Sequence, residues 1–323
     1  MREWLNTEVL VPRRVLIGTA TMNFVAVVLF IVWLAATPAL AAKNGKYLQN
    51  CPLANTGQVD PMVSPGGVAD HFHAEFGAKA WSATSTTADL LNGPTTCFIP
   101  GNHAAYWVSC FDDTDGTPIC PTSASGYYGA FGAADTEQVQ PFPVGVRFLV
   151  GDSHSTTLQS SAVVFWRCDA AGQPTLSAPP QTCPAGVGVS LAFNGPRYWD
   201  GMRLVAPDFH ANMSYTKDAG HQIRIPQIQW EFHFPPAAVG KFLDSDHGIA
   251  PKGRTAHMDL WEAQDPIMQA ELTKCLNDPA RSLPSSPLCG VFTTSTAPWI
   301  KPLVDWTDHV SYVKPDGTAG VSP

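Results

Sequence analysis

All eight cysteines of this chain (Cys51, Cys97, Cys110, Cys120, Cys168, Cys183, Cys275 and Cys289) lie after a single apolar run. That placement limits the fold more than any other feature. The run extends from Val15 to Ala35, about 21 residues, long enough to cross a bilayer. Arg13 and Arg14 precede it on the side that the positive-inside rule keeps cytoplasmic. Pro38-Ala39-Leu40-Ala41-Ala42 follows with the small-x-small pattern of a signal-peptidase site, with cleavage expected after Ala41. Two readings fit, a cleaved signal peptide or a retained signal anchor, and both export everything after residue 42. In an exported chain an even number of cysteines reads as disulfides. No two of them form a CxxC pair, so zinc is the weaker reading. The local spacings suggest Cys168 with Cys183 and Cys275 with Cys289.

Composition narrows the class. The apolar share of 45% is too high for a disordered chain, and the charged share of 14% is too low for a coiled coil or long helical bundle. Net charge is −8 and the pI about 5.6, with no basic run, so the chain lacks the electrostatic drive toward nucleic acid. With 29 prolines and 26 glycines it is turn-rich. The expected partition is residues 1–41 as signal peptide or anchor, 42–57 as linker or N-terminal segment, 58–300 as one extracellular domain, and 301–323 as a tail.

The expected fold is mainly β, a sandwich-like or irregular antiparallel domain with long loops, few short helices and disulfide support. Strands are predicted at Val144–Val150, Ala162–Cys168, Val187–Phe193 and Ile228–Phe234. The last alternates strictly, with Ile228, Trp230, Phe232 and Phe234 on one face and Gln229, Glu231 and His233 on the other. Asp265–Leu276 is the best helix, with Asp265 as cap and Pro266 at the first position. Ala237–Leu243 is a weaker one. Residues 82–96 and 111–126 read as loops, and 278–323 as an extended wrap held by Cys289.

Three groups of residues carry chemistry. In an extended Asp70-His71-Phe72-His73, the two histidines project to one side, about 6–7 Å apart at the backbone. They suit a divalent metal or a polar ligand, or are histidines satisfied by nearby backbone. Gly151-Asp152-Ser153-His154 follows a strand and has the look of an esterase nucleophile block, with Asp244 and His247 as partners. Its position deep in the chain and the lack of oxyanion-hole blocks argue for a polar turn instead. A scattered set, Asp60, Asp200, Asp208, His210, His221, Glu231, His257 and Asp259, includes residues beside aromatics such as Trp199 and Trp261. Carboxylates next to aromatic platforms suit sugar recognition or glycoside hydrolysis, and equally suit ordinary turns and core edges.

Taken in order, these pieces resemble one family, the secreted fungal and actinobacterial family catalogued as domain of unknown function nineteen-ninety-six. The matching motifs are Asp60-Pro61-Met62-Val63-Ser64-Pro65-Gly66, then His71, His73 and Gly77, Tyr106-Trp107, and Phe142 through Asp152. Trp166-Arg167-Cys168-Asp169, Cys183 to Gly186, Trp199-Asp200-Gly201, His221 with Arg224, and His257 with Asp259 follow. After the W-D-G, Phe209 and Asn212 stand where the family pattern has histidines. The resemblance spans roughly 58–276 and implies a location for the site, not a reaction.

The sequence therefore points to a site gathering Asp60, His71, His73, Asp200, His221, His257 and Asp259. One function it suits is a carbohydrate-active enzyme on cell-wall or environmental polysaccharide. In that reading Asp200, His257 and Asp259 are catalytic, and Asp60, Trp199, His221 and Trp261 bind substrate. His71 and His73 hold a divalent metal. The other is a non-catalytic glycan-binding or envelope-associated module. Polysaccharide or envelope glycan is the expected partner; membrane contact is expected only through an uncleaved N-terminal segment.

Overall fold

Alternation of apolar and polar residues at period two builds most of this protein. In the computed structural model the described residues are 45–134, 136–278 and 288–292, with the backbone of two paired strands at Ser311–Val313 and Ala319–Val321. The apolar segment 15–35 lies outside them, as does most of 278–323. Among the described residues no helix is long and apolar enough to cross a membrane.

The main sheet contains β1 (Lys46–Gly57), β2 (His73–Gly77), β3 (Ala105–Ser109), β4 (Ser123–Gly129), β5 (Arg147–Gly151), β6 (Val164–Cys168), β7 (Val189–Asn194), β8 (Gln227–Phe234), β9 (His257–Trp261) and β10 (Leu288–Phe292). Nine of them run antiparallel in the order β5-β9-β3-β2-β1-β4-β8-β7-β6, a near-barrel; β10 adds to β1 in parallel. The long β1 joins two half-sheets. Lys46–Pro52 pairs with β4 and Leu53–Gly57 with β2, with a register shift between Leu53 and Asn55.

The inward faces of the half-sheets meet in an aromatic core. Phe76 packs on Phe232 with ring centroids 5.4 Å apart, and Tyr106 on Trp230 at 4.0 Å. Trp166, Trp230, Tyr128, Phe148 and Phe193 are fully buried there. Truncating one such ring to alanine costs about 3–5 kcal/mol. Gly126 admits the Trp230 indole, because a Cβ at that position would lie 2.5 Å from the ring.

All four expected strands are present as β5, β6, β7 and β8, displaced by a few residues at their ends. The helix Pro266–Leu276 forms, and the Asp265 carboxylate caps it by accepting from the N–H groups of Ile267 and Met268 at 2.8 and 3.0 Å. The helix expected at Ala237–Leu243 does not form. A single 3-10 turn, Pro236–Ala238, gives way to Gly240 at φ 74° and then to a two-residue strand, Phe242–Leu243. The stretch 82–96 holds a short helix, Thr87–Asn92, closed by a reciprocal capping box between Thr86 and Asp89. The stretch 111–126 runs into β4, a central strand concealed by its serines and glycines.

Four disulfides staple the fold: Cys51–Cys97, Cys110–Cys120, Cys168–Cys183 and Cys275–Cys289, leaving no free cysteine. The two local pairs match expectation. Cys51–Cys97 closes 46 residues and Cys110–Cys120 only 10. Chain-entropy arithmetic assigns about 4 kcal/mol to the former and about 2.7 kcal/mol to the latter.

At one side of the core lies a buried polar network. Glu262 accepts from Gln264 N–H at 2.8 Å and from Gln269 Nε2 at 3.1 Å, while the Tyr47 hydroxyl donates to Gln264 Oε1. Burial pushes the Glu262 carboxyl from 4.5 up to about 8, against the pull of its Gln264 hydrogen bonds.

Two tests follow from this packing. Replacing Cys51 and Cys97 together by alanine is expected to lower unfolding free energy by more than the same change at Cys110 and Cys120, measured by denaturant titration. Because the folded protein holds the Glu262 proton more tightly than the unfolded chain, this group's contribution to stability is fully present below pH 4.5. It falls as pH rises toward about 8, by up to about 1.4 kcal/mol per unit. Melting curves between pH 5 and 9 should show a smaller loss for Glu262→Gln than for wild type; parallel curves would refute the assignment.

Candidate functional site

β9 alternates inward Met258 and Leu260 with His257, Asp259 and Trp261 on the opposite, outer face of its half-sheet. In the ladder Asp259 stands across from Trp107 on β3, which stands across from Glu75 on β2, two residues beyond His73. This face is not open to water. The excursion 58–72 between β1 and β2 covers it, inserting Asp60, Met62 and His71 as buried residues.

The excursion is clamped at several points. Asp60 Oδ1 accepts from Met62 and Val63 N–H at 2.8 and 2.9 Å. Phe72 N–H donates to Asp244 Oδ2 at 2.6 Å, and Asp70 Oδ2 lies 2.9 Å from His247 Nε2. Asp244 and His247 thus hold the histidine segment in place instead of serving Ser153, whose Oγ lies 3.0 Å from Nδ1 of its neighbour His154. On the other side, buried Asp246 accepts from Gly253 N–H at 2.6 Å and from the Thr255 hydroxyl at 2.8 Å, fixing the approach to His257. Gly151, at φ 90°, lets β5 pass close to that approach; a Cβ there would meet the Ala256 carbonyl at 2.4 Å.

Five side chains converge under the excursion. The rings of His71 and His73 have centroids 4.2 Å apart, and His257 lies 5.1 Å from the first and 6.2 Å from the second. One potential ligand atom from each of these histidines lies within 4.8 Å of the other two, and the same holds for Asp60, His73 and Asp259. His257 Nε2 is 3.6 Å from Asp259 Oδ2. All five residues are buried, with His71 the most exposed at 8%.

These groups do not satisfy one another. His71 Nε2, both ring nitrogens of His73 and both carboxylate oxygens of Asp259 are buried without a hydrogen-bond partner. Burial, then the neighbouring His73 and His257, push the His71 imidazole far below its ordinary range. Burial and His257 lower His73 to about 3; the Val59 backbone, near the ring but outside hydrogen-bonding geometry, pulls the other way. Burial also lowers His257, whose Nδ1 lies 2.8 Å from the Thr255 carbonyl. With Nδ1–H donated there, Nε2 presents its lone pair to the cluster. Burial, reinforced by Asp60, pushes the Asp259 carboxyl well above the usual carboxylate range. Three neutral imidazoles and two facing carboxylates form a donor set that a divalent cation would complete.

The remaining sequence-predicted residues lie elsewhere or act differently. Trp199 and Asp200 belong to a small ribbon formed by Tyr198–Trp199, Met213–Ser214 and Ile223–Arg224. Partial burial raises the Asp200 carboxyl, but N–H bonds from Arg203 and Met202 and the Arg203 guanidinium at 2.6 Å bring it below its ordinary value. It is a turn cap, the opposite of a general acid. His221 pairs with Asp218 at 2.9 Å, and the Trp199 indole donates to the Arg203 carbonyl. Trp261 is on the right face but buried, with the Arg147 guanidinium 3.5 Å over its ring, so it offers no platform to a sugar. Asp208 caps a turn, and His210 Nε2 reaches the Gly151 carbonyl at 2.8 Å. Phe209 adopts φ 56° and packs against the apolar cluster that contains Trp107 and Trp261, and Asn212 donates to the Arg147 carbonyl at 3.2 Å.

Sequence reasoning missed Glu75. Its Oε2 accepts from Asn55 at 2.9 Å, its Oε1 is unpartnered, and burial raises its carboxyl. The signal was available, since period-two alternation from His71 through His73 continues to Glu75.

Four disulfides without a free cysteine are the usage of an extracytoplasmic protein. No curated protein and no solved structure matches the chain significantly. Residues 60–259 match the family described as "Domain of unknown function (DUF1996)", a span whose first and last residues, Asp60 and Asp259, both belong to the cluster. As that span covers more than half of the 323 residues, the chain belongs to the DUF1996 family.

Proposed function

We propose that the domain is an exported metal-centre protein. His71, His73 and His257, with Asp259 and Asp60, hold one divalent transition-metal ion such as zinc, and the centre serves hydrolysis of an envelope or environmental polysaccharide. The observation that carries the metal is the set of orphaned ligand atoms on His71, His73 and Asp259. An unpaired buried carboxylate such as that of Asp259 is costly, and a coordinated divalent cation offsets that cost. Imidazole with carboxylate is a donor set of the zinc class.

The roles follow from burial. Asp259, wholly enclosed, is a ligand and not a proton donor to substrate. His71, the most exposed of the five, marks the side from which water or a substrate oxygen would enter. A bound ion supplies Lewis acidity and an activated water. Export supports the glycan as substrate class. A second reading, glycan binding without cleavage, is favoured by the engagement of Asp200 with Arg203, which removes a carboxylate expected to be catalytic.

Protein purified without an affinity tag is expected to carry about one equivalent of metal by elemental analysis. Stripped protein should regain it with a rise in melting temperature, worth about 4 kcal/mol at a thousandfold excess over Kd. His73→Ala and Asp259→Asn should each weaken binding by more than the roughly 10–100-fold typical of outer-shell changes. A folded wild type that neither contains nor takes up zinc, cobalt, nickel, copper, iron or manganese would end the metal reading.

A polysaccharide panel separates the two functions. Release of reducing ends by metal-loaded wild type, and not by His73→Ala, is the expected result. Retained binding with no release from either protein would transfer the assignment to the binding module.

A further inference from the structure

The other half-sheet also has an outer face, and it carries a different constellation. On β8 the residues opposite the core are Gln229, Glu231 and His233; on β4 they are Ser123, Ser125 and Tyr127. Ser125 Oγ lies 3.2 Å from His233 Nε2. His233 Nδ1 lies 3.1 Å from both carboxylate oxygens of Asp169, the residue that follows β6. A hydroxyl on Nε2 and a carboxylate on Nδ1 of one imidazole is the order of groups that activates a serine: the carboxylate fixes the tautomer and Nε2 is left to take the hydroxyl proton. The set is reachable, with 21% of the His233 side chain and 31% of the Asp169 side chain exposed.

We propose that Ser125, His233 and Asp169 form a second site, independent of the imidazole cluster, in which Ser125 is a nucleophile toward short-chain acyl esters. The face itself selects the substrate. Ser123, Ser190 and Ala192 around the pair are small, and the half-buried rings of Tyr127 and Phe165 flank them on the same face, which suits a short acyl group. The Glu231 carboxylate, directly across from Ser125, disfavours an anionic acyl group. β4 is paired on both edges, to β1 and β8, so its backbone N–H groups are committed to the ladder. The oxyanion must therefore be met by a side chain. Arg167 lies in the same cross-strand row as Ser190 and His233, ion-paired to Glu231 through Nη2, and its Nε is buried without a hydrogen-bond partner.

In the reaction, Ser125 Oγ bonds to the acyl carbon as its proton passes to His233 Nε2. The ester C–O bond then breaks, and the alcohol leaves with that proton. Water, deprotonated by the same nitrogen, cleaves the acyl-serine. The acid departs and Ser125 is restored, so one ester and one water become one acid and one alcohol.

The test uses the intact protein with a fluorophosphonate probe and p-nitrophenyl acetate. Peptide mapping should find the label on Ser125, and Ser125→Ala should abolish labelling and turnover while keeping the wild-type melting curve. Ser153→Ala should behave as wild type, since Ser153 meets only an adjacent histidine in its turn. His233→Ala should lower turnover by about 100-fold or more, the lower range of general-base contributions. Asp169→Asn, at a positioning residue, should lower it and change its pH profile. Metal-stripped wild type that keeps its fold should turn over at the unstripped rate, which separates this site from the proposed metal centre. Absence of label on folded wild type, equal turnover by Ser125→Ala, or loss of turnover in folded, metal-stripped wild type would overturn the proposal.

Discussion

Strand β1 is hydrogen-bonded into two half-sheets along its length, and everything else in the domain depends on that sharing. Its first half serves β4 and its second half β2, with the register shift near Leu53 turning it from one to the other. The turn lets the half-sheets face each other, so that Phe76 and Tyr106 on one meet Phe232 and Trp230 on the other. Disulfide Cys51–Cys97 anchors β1 near the turn. Each half-sheet then has one dry inner face and one outer face free to hold something other than core.

The two outer faces have opposite fates. The β2-β3-β9-β5 face is roofed by the 58–72 excursion, so its polar side chains are dry. His73, Glu75, Trp107 and Asp259 all retain unpartnered polar atoms there. Native proteins rarely tolerate such a concentration of buried unpaired groups, because each forfeits its hydration without a replacement. Their neighbours explain why the roof stays closed: Asp70 on His247, Phe72 on Asp244, and the turn capped by Asp60 are fixed before any ligand is considered. The β4-β8-β7-β6 face is open at its edge and pairs most of its polar groups with one another, through Glu231, Arg167, Ser190 and the Ser125–His233–Asp169 chain.

Much of this was legible in the residues. Strict alternation at 228–234 and the capped helix at Asp265 and Pro266 announced their elements, because a two-residue period and a helix cap are local properties. The H-x-H spacing announced one face of a strand for the same reason. β4 escaped notice since Ser123, Ser125 and Gly126 carry no β signature; Gly126 is small because the Trp230 indole lies over it, while the serines face away from the core. The helix expected at 237–243 failed where Gly240 turned the chain with positive φ. Trp199, Asp200 and His221 looked like part of the site because sequence places polar residues beside aromatics without saying what they touch.

By itself, the sequence determined the export logic of the cysteines, the β class and the residue types available for chemistry, since composition and short-range periodicity are properties of the chain alone. Only the tertiary structure decided which of those residues share a site. His73 and Asp259 are separated by nearly two hundred positions, and neither carries any local mark of the other. Adjacent strands in space bring them together, and the covering loop then strips both of water. Ser125, His233 and Asp169 meet for the same reason: a sheet ladder pairs residues by register, and register is fixed only when distant apolar faces pack.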